Sequence, residues 1–250
     1  MPNDLDLEVR LRDEDRWLAS RFAPADVRAR LIALYALNRE IARTVDVVST
    51  PGIGAIRLAW WREALTEIAE GNPARAHPTL QAYAAMQRDV RAALHSWEIL
   101  IETRACDFES APFREWADVE AYIDNTAGSV MRMALAACGD DQTPLELAAM
   151  ASRAWGYVAL LRAAPAWAAR GRSALPREGG AMEEMRERAR VAYLLARGLA
   201  RKNLAAAGFP AVGYVALVPG YLRALGRGRA ERPLLARQLR LIAASATGRL

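Results

Sequence analysis

The chain is short of the side chains that most often do covalent or metal chemistry. It holds two cysteines, Cys106 and Cys138, and two histidines, His77 and His95. Two thiols so far apart supply neither a disulfide framework nor a zinc-ligand spacing, and they read as reduced thiols of a cytosolic protein. His77 precedes Pro78 and reads as a turn residue, while His95 reads as a surface histidine. With no Gly-x-Ser-x-Gly segment, a hydrolytic triad is not expected. Long apolar runs are missing too. No uncharged stretch reaches the roughly 18 residues that a bilayer span needs, which leaves only peripheral membrane contact. The opening Met-Pro-Asn-Asp-Leu-Asp-Leu-Glu is acidic and has no hydrophobic segment, so neither a signal nor a transit peptide is expected.

Aromatics make up only 7% of 250 residues, yet 53% are hydrophobic, mostly Ala and Leu alongside abundant Arg. That composition, with few β-branched runs, predicts an all-α protein, and the length suits a single domain over 1–250. The net charge of +5 and pI near 9.6 favour anionic partners such as phosphate ligands or a membrane surface. The basic groups read as spread along helices. With no basic arm, RNP-like motif or zinc-finger spacing, no nucleic-acid partner is expected.

Proline and glycine punctuate the chain into helices. Helices are expected over 13–20 and from Pro24-Ala25-Asp26 to about Val48, with Ser49-Thr50-Pro51 capping the next over 51–70. Further helices follow over 79–91, 96–107, 118–137, 145–164, 182–207, 210–225 and 233–245. In the long second helix Val27, Leu31, Leu34, Ile41, Val45 and Val48 form one apolar stripe. Beside it runs a second row, Tyr35, Asn38, Ala42 and Asp46. A phenol, an amide, a gap and a carboxylate on one row read as the wall of a pocket.

The run Tyr35-Ala36-Leu37-Asn38-Arg39 resembles the first signature of the squalene/phytoene synthase family, roughly Tyr-Ala-Phe-x-Arg-x-x-Asp-Asp-x-x-Asp. Two other stretches strengthen the likeness. Tyr122 to Val130, with Ala127-Gly128-Ser129-Val130, is similar to the family's Ala-Gly-Ser-Val-Gly helix, Met131 standing for the last Gly. Arg162, then Gly171-Arg172 and Pro176, fit the frame of the second aspartate motif. Trp60-Trp61-Arg62 and Pro219-Gly220-Tyr221-Leu222 also resemble family segments, the tryptophans reading as core fillers. The resemblance implies a single-domain isoprenoid (terpenoid) synthase helical bundle.

In active members the aspartates of the two motifs hold magnesium against a prenyl diphosphate. Here the first motif's aspartate positions fall on Ala42, Arg43 and Asp46; the second motif's Asn and Asp positions fall on Ala159, Ala163 and Trp167. One carboxylate cannot assemble a magnesium shell, and Arg43 would repel an approaching cation. Asp107, Asp124, Asp140 and Asp141 do not restore the spacing, and Asp140-Asp141 after Gly139 read as a solvated turn. Glu40 reads as an ion-pair partner of Arg43 or Arg39.

The resemblance is therefore to a branch lacking the aspartate-rich motifs, which includes a mitochondrial assembly factor for respiratory complex I. It implies a pseudoenzyme without cofactor, an assembly factor or lipid- or isoprenoid-binding scaffold. Its partners would be respiratory-chain subunits, an anionic lipid or a prenyl phosphate, and its place cytoplasmic or peripheral on the inner face of a membrane. Two readings of Arg39, Arg43, Arg162 and Arg172 stand side by side: convergence on the former diphosphate site, guanidinium replacing magnesium, or solvated arginines paired with nearby glutamates. The alternative to a pseudoenzyme is an active head-to-head prenyl transferase of isoprenoid biosynthesis, which alone would require Mg2+.

Overall fold

The structure, a computed structural model, describes residues 5–48, 50–86 and 90–250. Among the described residues it is helical throughout, with fourteen α-helices and no strand. The first is α1 (Leu5–Arg12), where acidic Asp6 and Glu8 sit in the first turn and Arg10 and Arg12 in the last, complementing the helix dipole. The sequence reading gave no helix there. Asp6 also accepts a hydrogen bond from the Trp17 indole at 3.0 Å and pairs with Arg21, fastening α1 to α2 (Glu14–Ser20).

The long helix expected to run through Asp46 is shorter. α3 (Ala25–Ala42) stops at Arg43, and a separate turn, α4 (Thr44–Val47), follows. The β-branched Thr44, Val45, Val47 and Val48 are poor helix formers, and Pro51 lies close beyond. Of the expected stripe, Leu31, Leu34 and Ile41 are buried, while Val27, Val45 and Val48 are only partly so. α5 (Pro51–Ala69) starts on Pro51 at its first turn; the expected capping role of Ser49 lies outside the described residues.

α6 (Pro78–Met86) and α7 (Val90–Thr103) place the helix boundary earlier than expected, so 90–91 open α7 rather than close α6. Positions 87–89 of the expected helix lie outside the described residues. A 3-10 turn (Arg104–Phe108) leads towards α8 (Trp116–Ile123), whose start is fixed by a reciprocal capping box between Glu115 and Asp118. A π-helical turn (Asp124–Gly128) joins α8 to α9 (Ser129–Cys138). Gly139, at φ +70°, ends α9 in a left-handed cap. The expected solvated turn is half wrong. Asp140 is buried and accepts from the backbone N–H groups of Gln142 and Thr143, whereas Asp141 is exposed.

α10 (Leu145–Ala168) runs through Pro165 and past the expected end, the missing N–H falling near the C-terminus of the helix. Beyond it come α11 (Met182–Asn203), α12 (Phe209–Val212), a 3-10 turn (Gly213–Leu217), α13 (Val218–Leu225) and α14 (Leu234–Thr247). α10 packs along α11, with Ala151 and Ala154 on one and Ala189, Ala192, Ala196 and Ala200 on the other buried. One connected apolar cluster extends from Val9 to Leu250. A buried ionic clamp closes the chain ends: Asp15 accepts from Tyr221 Oη at 2.6 Å and from Arg237 at 2.8 Å, tying α2 to α13 and α14.

Candidate functional site

A cavity of about 370 Å³ lies between the C-terminal end of α3 with α4 and the second half of α10. Asn38, Arg39, Ala42 and Asp46 face it from one side. Ala159, Ala163 and Trp167 face it from the other. These seven positions, drawn from two distant segments, thus share one wall-to-wall space. Ile123, Val130, Trp155 and Leu160 add apolar lining. Gly156 on α10 lets α8 come close: a Cβ there would sit 2.3 Å from Ile123 Cγ2.

Five other expected positions lie elsewhere. Tyr35 is fully buried beneath the cavity wall, its ring 5.6 Å from the Arg16 guanidinium, and burial holds its phenol well above the usual range. Gly128 faces Arg132 and Ser152. Arg43 pairs with Glu40 at 3.0 Å, on the outside. Arg162 lies over the Tyr221 ring at 4.5 Å, donates to the Ala230 carbonyl at 3.2 Å and approaches Asp15 at 3.5 Å. Arg172 donates to the Glu109 carbonyl at 3.2 Å and covers Trp167 at 4.9 Å. The four arginines do not converge. Of them only Arg39 lines the cavity: Arg43 and Arg172 lie beyond the ends of α3 and α10, and Arg162, within α10, faces Tyr221 of α13 instead.

Other arginines take their place. Arg16, Arg104 and Arg170 line the cavity with Arg39, together with one further carboxylate, Asp107. Asp107 sits on the 3-10 turn, buried, and accepts from Tyr122 Oη at 2.7 Å and from Arg104 at 3.2 Å. Arg104 also donates to Tyr122 Oη at 2.8 Å, and burial pushes the Tyr122 phenol upward. Asp46 is held by Arg170 at 2.5 Å. Three buried polar atoms of the lining residues have no hydrogen-bond partner: Asn38 Oδ1 and the Nε atoms of Arg16 and Arg104. The Arg104–Asp107 spacing of three was visible in the sequence, and Tyr122 stood in a recognised segment. Arg16 and Arg170 carried no signal of their own.

These donors do not fit a magnesium cluster. Magnesium takes several oxygen ligands in an octahedral shell. Here the two cavity carboxylates are each engaged by an arginine. Among the described residues no group of three or more His, Cys, Asp or Glu stands close enough to hold a metal ion. What the walls offer is guanidinium donors from Arg16, Arg39, Arg104 and Arg170 together with apolar side chains such as Ile123, Val130 and Leu160. That suits an anionic head on a hydrocarbon body.

A family model described as squalene/phytoene synthase matches residues 9–180. The chain is 29% identical over 170 residues to NADH dehydrogenase (ubiquinone) complex I, assembly factor 6 of Bos taurus. It is 28% identical to the Homo sapiens protein of that name; both matches cover 67% of this chain and 50% of the relative. The chain thus spans about half the length of these curated relatives. It is also 34% identical over 115 residues to the phytoene synthase of Rhodobacter capsulatus, covering 46% of this chain and 34% of that protein. Among solved structures, a dehydrosqualene synthase in complex with ligand superposes with a TM-score of 0.78 at 16% identity, covering 97% of this chain and 94% of the other. Squalene synthase HpnC from Alicyclobacillus acidocaldarius gives 0.71 at 20% identity, covering 91% and 96%. These two likenesses show the helical isoprenoid-synthase fold. The family match covers most of the chain, and the chain belongs to the squalene/phytoene synthase family.

Proposed function

We propose that this chain keeps the isoprenoid-synthase shell as a catalytically silent binding scaffold. Its cavity would take an anion-headed isoprenoid or lipid, and its role would be in the assembly of a respiratory complex. One observation carries the reading: the cavity positions facing one another are Ala42, Ala159 and Ala163, and the remaining Asp46 is neutralised by Arg170. Diphosphate ionisation needs charge placed against the leaving group. Arginine donors can bind a phosphate without metal, and here Arg16, Arg39 and Arg104 face the same space. The similarity to complex I assembly factor 6 supports the assembly role.

The test is incubation with farnesyl or geranylgeranyl diphosphate and magnesium, following pyrophosphate release. No release above the protein-free rate is expected, while titration with a non-hydrolysable prenyl phosphonate should show saturable binding. Release that disappears in Asp46→Ala would overturn the proposal in favour of an active prenyl transferase. For the assembly role, co-purification with respiratory-chain subunits from the native source is the expected result.

A further inference from the structure

The chain divides sharply by charge. Of its 34 basic and 29 acidic residues, ten basic and only one acidic, Glu231, lie in 191–250. That segment therefore carries +9, while the first 190 residues carry −4. The arginines of the first part are largely matched to carboxylates, as in Arg75 with Glu67 or Arg153 with Asp124. Among the described residues, Arg237 is the one basic residue of 191–250 in an ion pair, and it is buried.

The same segment exposes aliphatic side chains in a helical pattern. On α14, Arg237, Leu241 and Ala244 turn inward, while Leu235, Leu239 and Ile242 are 66%, 59% and 55% exposed. Their spacing of four and three puts them on one outward stripe. On α11, Val191, Leu194 and Leu195 are exposed as well. The two helices are linked through Tyr193 of α11, which accepts from Arg240 of α14 at 3.4 Å and donates to the carbonyl of Leu250, just past α14, at 3.0 Å. Arg197, Arg201 and Lys202 at the end of α11, and Arg249 after α14, are exposed around these stripes.

We propose that the α11–α14 face docks on the surface of a bilayer containing anionic lipid. Basic, unpaired side chains beside outward aliphatic ones are what an interfacial helix uses, with the aliphatics entering the head-group region and the charges meeting lipid phosphate. No helix of the described residues is long and apolar enough to cross a membrane, so the contact is with the surface. A second copy of the chain is the poorer occupant, because the exposed Arg197, Arg201, Lys202 and Arg249 of one copy would repel those of the other. The face shares no residue with the lining of the cavity, so docking stands whether or not the cavity binds a ligand.

The experiment is flotation of the full chain with vesicles of phosphatidylcholine alone or mixed with phosphatidylglycerol. Binding is expected with phosphatidylglycerol and at low salt, and should weaken as salt rises. A Leu239→Glu, Ile242→Glu double variant should bind roughly tenfold or more weakly. So should an Arg197→Glu, Arg201→Glu variant that leaves the apolar stripe intact. Unchanged circular dichroism and melting temperature in the second variant separate docking from folding. Equal binding to both vesicle types, no binding to either, or unaltered binding by both variants would overturn the proposal. A dimer in solution that the Glu variants dissociate, without vesicle binding, would overturn it as well.

Discussion

Two places in this molecule bury arginines beside carboxylates, and they are built differently. At the Asp15 clamp, both carboxylate oxygens are taken, by Tyr221 and Arg237, and three helices are tied together. Along the cavity lining, Asn38 Oδ1 and the Nε atoms of Arg16 and Arg104 are buried with no hydrogen-bond partner. Burying an unpaired polar group costs about 1–3 kcal/mol. The clamp therefore serves stability, and the wall holds donors and acceptors in reserve for something that binds.

Four outcomes test that contrast. The largest effect belongs to the clamp. Asp15→Ala leaves Tyr221 without its acceptor and Arg237 with only the partly exposed Glu14 as partner, and should cost about 3 kcal/mol, read from the urea unfolding midpoint. A loss below about 1 kcal/mol would show that the clamp does not hold the helices. At the wall the sign should reverse. Asn38→Leu removes an orphaned amide, so stability should stay level or rise by about 1 kcal/mol while prenyl-phosphonate binding weakens. A destabilised protein with unaltered binding would make the wall another piece of framework.

The third outcome concerns pH. Burial pushes the Cys138 thiol, at the end of α9, up to about 12. In the unfolded chain a thiol titrates near about 8.5. The folded state thus holds its proton longer, so the thiol's contribution is complete below about pH 8.5 and is lost as the pH rises towards 12. Comparing unfolding midpoints at neutral and alkaline pH, Cys138→Ala should flatten the alkaline decline; an identical decline would assign it to other groups. The smallest effect is expected for Arg170→Ala. The pair with Asp46 is half-exposed, so stability should change by less than about 1 kcal/mol in a thermal melt. A larger loss would mean that this pair, too, is structural.

Much of the fold could be read from the sequence because its signals are local. Pro51, Gly139 and Pro144 mark helix ends, and a period near four marks their buried faces. The break of α3 at Arg43 was harder, since it depends on four β-branched residues outweighing an apolar pattern that continues past them. At the site, Ala42, Asp46, Ala159 and Ala163 could be paired because two motif frames pointed at each other. The arginines could not be placed that way. A long side chain beyond a helix end swings with a small change in where the helix stops, as at Arg43 and Arg172, while Arg162 within α10 is drawn to Tyr221 and Asp15, partners far away in the chain. Asp107 was set aside for want of a motif, yet a 3-10 turn brought it to the cavity. The basic block over 191–250 was countable, but averaging charge over the whole chain concealed it.

The contact between Gly156 and Ile123 fixes how closely α8 and α10 approach. With the Ile123 side chain lodged against bare backbone, any larger residue at 156 would wedge the two helices apart. Both residues line the cavity, so such a substitution would reshape its wall without touching any of the arginines there.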